Sequence, residues 1–125
     1  MRVVVIGGSG HVGTFLVPRL VEAGHEVTSI SRGKREPYRL HPAWKSVEQV
    51  TLDREAEEAN GTFGEQVLAL EPDAVVDMIC FTPQSARQLI DALRGRIRHF
   101  VHCGTIWVHG HSTRVPTTED LLRRP

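Results

Sequence analysis

Cysteine is scarce in this sequence: Cys80 and Cys103 are the only two among 125 residues. Two thiols so far apart form neither a disulfide framework nor a cysteine-rich zinc cluster. Lysine is equally scarce, with Lys34 and Lys45 standing beside 13 arginines. No sign of charge prevails, since 15 basic residues balance 15 acidic ones and the pI is about 7.1. That balance excludes the basic excess of a general nucleic-acid or anionic-membrane binder. No apolar run approaches the length of a bilayer span. Met1 and Arg2 lead into a short apolar stretch and then glycines, so no signal peptide is expected. These absences point to a soluble, cytoplasmic, single-domain protein with no nucleic-acid or membrane partner. An apolar fraction of 40% supplies a core without staples, and a chain of this size buries roughly two thirds of its unfolded surface.

The most informative stretch comes first. Residues 2–6, Arg-Val-Val-Val-Ile, are short and β-branched, as in a strand buried on both faces. Gly7-Gly8-Ser9-Gly10-His11-Val12-Gly13 follows at once. Phe15, Leu16, Leu20 and Val21 then recur at helical spacing up to Gly24, a helix stop. Pro18 inside that helix predicts a local kink. A strand, a glycine-rich turn and a helix form the unit that binds a pyrophosphate. The glycines let the backbone turn tightly and approach phosphates with no Cβ in the way. The helix N-terminus offers unpaired N–H groups and the positive end of its dipole. Gly13 would let helix and strand pack closely. A glycine-rich turn alone could be a plain connection. The spacing G-x-x-G-x-x-G, its place directly after a first strand, and a second strand over residues 26–30 weigh for the pyrophosphate reading.

The alternation continues. Residues 47–52, 74–80 and 99–103 read as third, fourth and fifth strands. Phe63, Val67, Leu68 and Leu70 suggest a helix ended by Pro72. Another opens at Pro83, shows Ala86, Leu89, Ile90 and Leu93 on one face, and stops at Gly95. The expected architecture is α/β: a doubly wound parallel sheet with right-handed crossovers, ordered 3-2-1-4-5. Residues 31–45 form the one long irregular stretch, and the tail 112–125 has no strong periodicity.

This order resembles the extended short-chain dehydrogenase/reductase family, the NAD-dependent epimerase/dehydratase group. The resemblance rests on Gly7, Gly10 and Gly13, on Asp53 after the third strand, and on Cys103-Gly104-Thr105-Ile106-Trp107-Val108-His109-Gly110 after the fifth. It implies a Rossmann fold that holds a dinucleotide with Gly7, Gly10, His11, Val12 and Gly13. It places Asp53, with Arg54 beside it, at the adenine amino group; a helix N-cap is the other reading of Asp53. The loop Cys80-Phe81-Thr82 would pass under the pyrophosphate and ribose. Thr105 falls where the family's catalytic Ser/Thr stands, hydrogen-bonding the substrate oxygen that gains or loses charge. His109 replaces the family's usual Tyr in Val-Tyr-Gly.

The family also uses a Tyr acid/base and a Lys four residues later. Tyr38 is the only tyrosine, and position 42 is proline. Residues 1–125 are therefore expected to be the N-terminal, cofactor-binding portion of a longer enzyme, with the substrate-binding part absent. Tyr-x-x-x-Lys would follow within a few residues of Pro125. Exposed sheet and helix faces would then favour self-association, so a homo-oligomer is a further expectation. A natural remnant, or a non-catalytic regulatory or RNA-binding relative, is the alternative.

The end of the second strand bears on the cofactor. NAD sites usually carry an acidic residue there. Here Ser31-Arg32-Gly33-Lys34-Arg35 stands in its place, and Glu26 is at the wrong end of the strand. Arg32 could bind a 2′-phosphate, which favours NADP, with NAD as the alternative. Seven histidines, His109 and His111 among them, lack the spacing of a metal site, and none is expected. Cys80 and Cys103 are expected as buried free thiols. Arg94, Arg96 and Arg98 read as a solvated helix end, and Trp44 and Trp107 as packing residues. The substrate would be a small molecule, such as a nucleotide sugar.

Overall fold

The computed structural model of the protein describes residues 1–105. Five strands pair in parallel in the order β3-β2-β1-β4-β5. They are β1 (Arg2–Ile6), β2 (Glu26–Ser31), β3 (Glu48–Thr51), β4 (Ala74–Asp77) and β5 (His99–His102). The expected strand order is the observed one.

The β-branched run at the N-terminus becomes the central strand because it has no polar side to offer water. Val3, Val4, Val5 and Ile6 are all at most 3% exposed, and burying each such side chain stabilises the fold by about 1.5–3 kcal/mol. The two-residue pleat divides them. Val3 and Val5 join Val17, Val27, Val47, Ala74 and Val76 on one face. Val4 and Ile6 join Ile30, Phe63, Val67, Val75, Leu89 and Leu93 on the other. Helix α1 (Gly13–Glu22) covers the first face. Helices α3 (Phe63–Leu68) and α4 (Pro83–Leu93) cover the second. A sheet buried on both sides this way is doubly wound.

Helix α1 runs from Gly13 through buried Pro18 to Glu22, and Gly24, at φ +83°, turns the chain out of it. Pro18 removes one helical hydrogen bond without ending the helix. Helix α4 starts at Pro83 after Thr82, whose hydroxyl accepts from the Ser85 amide at 3.1 Å. Gly95, at φ +73°, follows its last turn. The arginines beyond it meet acids: Arg94 lies 3.6 Å from Asp91, Arg96 3.3 Å from Glu65 and Arg98 3.6 Å from Asp73.

Several boundaries differ from expectation for local reasons. A helix α2 (Arg54–Ala59) precedes α3. Its sequence, Arg-Glu-Ala-Glu-Glu-Ala, has no apolar periodicity to betray it. The irregular stretch 31–45 ends in a short 3₁₀ helix, Pro42–Ser46, which His41 caps by accepting from the Ala43 amide at 3.2 Å. Trp44 packs beside the α1-side core, as expected. Strand β4 ends at Asp77 and not at residue 80, because the Asp77 carboxylate accepts from the Ile79 amide at 3.3 Å and curls the chain. Of the two thiols, Cys80 is half-buried but Cys103 is exposed, contrary to the expected burial. Cys103 follows β5, an edge strand with little cover. Among the described residues no helix is long and apolar enough to cross a membrane.

Candidate functional site

The site is built at the C-terminal ends of the strands, where the glycine turn joins β1 to α1. Gly7 adopts φ +86°, and its amide donates to the Ile30 carbonyl at 2.8 Å. A Cβ at Gly7 would stand 2.7 Å from the Ile79 side chain. A Cβ at Gly13 would stand 2.3 Å from the Gly8 carbonyl oxygen, so the first helical residue presses on the turn's own backbone. The tight approach is therefore helix to turn, where helix to strand was expected. Gly10 differs from both. A Cβ there would meet only the Gly7 oxygen, at 3.3 Å. That contact is tight but far milder than those at Gly7 and Gly13, so the fold constrains this position less.

Helix α1 begins behind this turn with no side-chain cap from Val12 and no acidic residue in its first turn. Its N-terminus thus keeps its positive character for an anion. In front lies a cavity of about 870 Å³, within the range of small-molecule sites. Gly7, Ser9 and Gly10 form one wall; Ser31, Arg32, Lys34 and Arg35 line it at the end of β2. Asp53, Arg54 and Glu58 line it from α2, and Phe81, Thr82 and Ser85 from the start of α4. Of the expected cofactor residues, Gly7, Gly10, Ser31, Arg32, Asp53, Arg54 and Phe81 share this cavity. His11, Val12, Gly13 and Cys80 flank it. The His11 and Tyr38 rings meet at a tilt with centroids 4.1 Å apart, and the Arg39 amide donates to the Thr14 hydroxyl at 3.2 Å. Both contacts tie the loop after β2 to the start of α1.

Asp53 caps α2, its Oδ1 accepting from the amides of Glu55 at 3.1 Å and Ala56 at 3.4 Å. Arg54 is buried, its side chain 10% exposed. Its Nη1 donates to Asp77 Oδ1 at 2.8 Å and its Nε to Glu58 Oε1 at 2.5 Å. Burial alone would lower the Arg54 pKa, but its hydrogen bonds to Asp77 and Glu58, with their charges, outweigh this and raise it. Glu58 also accepts from the Ser85 hydroxyl at 2.5 Å, and its carbonyl from Gln88 Nε2 at 3.0 Å. The network joins α2, β4 and α4 beneath the cavity. Sequence reasoning missed Asp77, Glu58, Ser85 and Gln88. The one available signal was Asp77, a carboxylate closing an otherwise apolar strand.

Asp77, Cys80 and His102 bring ligand-capable atoms within 4.8 Å of one another. The group is ill-suited to a cation. Asp77 already faces the Arg54 charge, and burial pushes the Cys80 thiol pKa up, away from the thiolate a metal needs. His109 and His111 lie outside the described residues, as do Trp107, Val108 and Gly110. Thr105 is exposed, three residues beyond β5, at the same end of the sheet as the cavity.

A doubly wound sheet with an open glycine turn at its carboxyl edge defines a dinucleotide-binding class of fold. Residues 3–125 match the NAD dependent epimerase/dehydratase family, and the chain belongs to that family. It is 34% identical over its whole length to 2′-dehydrokanamycin reductase of Streptomyces kanamyceticus, covering 33% of that protein. It is 30% identical to UDP-glucose 4-epimerase of Corynebacterium glutamicum, covering all of this chain and 41% of that one. Among solved structures, the Bordetella bronchiseptica enzyme WbmG in complex with NAD and UDP superposes with a TM-score of 0.73 at 17% identity. That match covers 100% of this chain and 44% of WbmG. UDP-glucose 4-epimerase of Thermotoga maritima with UDP-glucose gives 0.72 at 19%, covering 100% of this chain and 45% of the other. The chain spans a third to two fifths of the curated relatives' length.

Proposed function

We propose that the chain forms the cofactor half of an NAD(P)-dependent oxidoreductase of the epimerase/dehydratase type. Its substrate is a nucleotide sugar or another small molecule with a carbonyl or hydroxyl group. The observation that carries this reading is the glycine turn, with Gly10 as its least constrained glycine, lining the cavity in front of the uncapped N-terminus of α1. A pyrophosphate suits it by charge, since α1 has no side-chain cap from Val12 and no acidic residue in its first turn. Relatives with NAD in their structures support a nicotinamide dinucleotide.

Between the two cofactors, the end of β2 favours NADP. Arg32, Lys34 and Arg35 line the cavity there, and each charge-assisted bond to a 2′-phosphate contributes about 1.5–3 kcal/mol. Glu26 is at the far end of the strand, 3.6 Å from Arg2. When bound, the cofactor supplies the hydride acceptor or donor. Thr105 hydrogen-bonds the substrate oxygen as its charge changes. The family's Tyr-x-x-x-Lys is not in these 125 residues, so this polypeptide by itself is expected to bind cofactor without turnover.

Calorimetric titration with NADP and NAD tests the reading. The wild type should bind, NADP more tightly, and Gly10→Val should lose binding while keeping its fold. Equal affinity of wild type and Gly10→Val would remove the phosphate assignment.

A further inference from the structure

We propose that a second cavity, between the loop after β2 and the edge strand β3, binds a small phosphate ester: a phosphate carried on an apolar or aromatic body. The proposal goes beyond the cofactor reading and does not depend on it.

This cavity has a volume of about 730 Å³, within the range of small-molecule sites. Lys34, Arg35, Arg39 and Lys45 line it, and Glu36 is its one acid among the described residues. Elsewhere arginines meet carboxylates: Arg2 pairs with Glu71, Arg54 with Asp77, Arg96 with Glu65 and Arg98 with Asp73. Among the described residues, none of the four cations around this cavity forms such a pair. A chain with 15 basic and 15 acidic residues thus gathers four unpaired cations at one cavity. Like charges held together repel, and a bound anion relieves that repulsion.

The remaining surface is apolar, from Pro37, Leu40, Pro42 and Trp44. Leu40 is 86% exposed. The loop that carries these groups is fixed to α1 in three places. The Tyr38 ring meets His11, the Arg39 amide donates to the Thr14 hydroxyl, and His41 Nε2 lies 3.5 Å from Glu22 Oε1. A site shaped in advance loses less freedom when it binds. Phosphate brings about two negative charges at neutral pH and several strong acceptor oxygens, which guanidinium and ammonium donors match. A bare ion would leave the apolar surface uncovered; an ester covers it. Arg39, Trp44 and Lys45 belong to this cavity and not to the first, while Ser31, Lys34 and Arg35 line both.

The test titrates phenyl phosphate and inorganic phosphate into wild type, Arg39→Ala/Lys45→Ala and Arg32→Ala, followed by tryptophan emission, with a thermal melt of each. Arg39 and Lys45 are exposed, and Arg39 bonds Thr14 through its backbone amide, so the double variant should melt with the wild type. Phenyl phosphate should change the wild-type emission and bind more tightly than inorganic phosphate. Trp44→Phe should abolish the change. The double variant should bind both probes about tenfold or more weakly. Arg32→Ala, altered only in the first cavity, should respond as the wild type does. No binding by the wild type, or wild-type affinity in the double variant, would overturn the proposal. An equal loss in Arg32→Ala would also overturn it, by placing the anion in the first cavity. Equal affinity for the two probes would overturn the ester, since the apolar surface would then take no part.

Discussion

Gly13 and Gly10 stand three residues apart in one turn, yet alanine should affect them in opposite ways. At Gly13 the new Cβ would lie 2.3 Å from the Gly8 oxygen, 2.6 Å from its carbonyl carbon and 2.7 Å from its Cα. All three are backbone atoms, so no flexible side chain can swing aside. Overpacking of this kind costs about 1–3 kcal/mol, and a clash with backbone belongs in the upper half of that range. Alanine's better helix propensity returns at most about 1 kcal/mol. A net loss of about 2 kcal/mol should lower the melting temperature by roughly 6–10 °C for a chain of this size. At Gly10 the added Cβ meets one atom at 3.3 Å. Gly10→Ala should therefore stay within about 1 kcal/mol of wild type, while the added methyl weakens cofactor binding. Thermal denaturation followed by far-ultraviolet circular dichroism, with parallel cofactor titration, separates the two effects. If Gly13→Ala melts with the wild type, the helix does not press on the turn as described. If Gly10→Ala melts as early as Gly13→Ala, Gly10 serves the fold and its link to a ligand is lost.

Other outcomes are expected from the same geometry. Arg32→Ala should weaken NADP binding and hardly alter NAD binding, measured by titration; a wild type that prefers NAD would show that Arg32 is only solvated. In a catalytically complete protein, Thr105→Val should slow turnover by about two to three orders of magnitude, as losing a transition-state hydrogen-bond donor does, while Thr105→Ser is tolerated. A fully active Val variant would assign Thr105 a structural role alone. Burial raises the Cys80 pKa, so at neutral pH iodoacetamide should label exposed Cys103 first. Labelling of Cys80 should accelerate only as the pH rises well above the ordinary thiol range, which mass spectrometry of timed digests would follow.

Much of this protein was legible in its residues. A β-branched run with no polar face could only be an interior strand, and glycines at positions 7, 10 and 13 directly after it could only serve a tight turn into a helix. Strand order was read from the doubly wound pattern that the alternation of strand and helix suggested, with crossovers of one hand. Local polar chemistry hid the rest. Helix α2 lacks an apolar stripe, so its existence depends on the Asp53 cap and on Arg54 being drawn inward. The end of β4 was misplaced because the sequence runs on apolar through Met78 and Ile79, while the Asp77 carboxylate captures the Ile79 amide only once the strand is in place.

Periodicity and spacing along the chain determined the sheet, the glycine turn and the place of the cavity, because those depend on contacts within a few residues or on rules of connection. Only the tertiary structure decided the roles of the three glycines, since their difference lies in what a Cβ would meet: the Ile79 side chain at Gly7, the turn's own backbone at Gly10 and Gly13. It also decided that Arg54, read only as a neighbour of Asp53, is a buried cation pinned by Asp77 and Glu58. That outcome needs Asp77, 23 residues away, and the Phe63 ring, brought together by packing α2 and α3 over β4. Burial makes such partners obligatory, and no local pattern in the chain records which distant carboxylate will supply the charge.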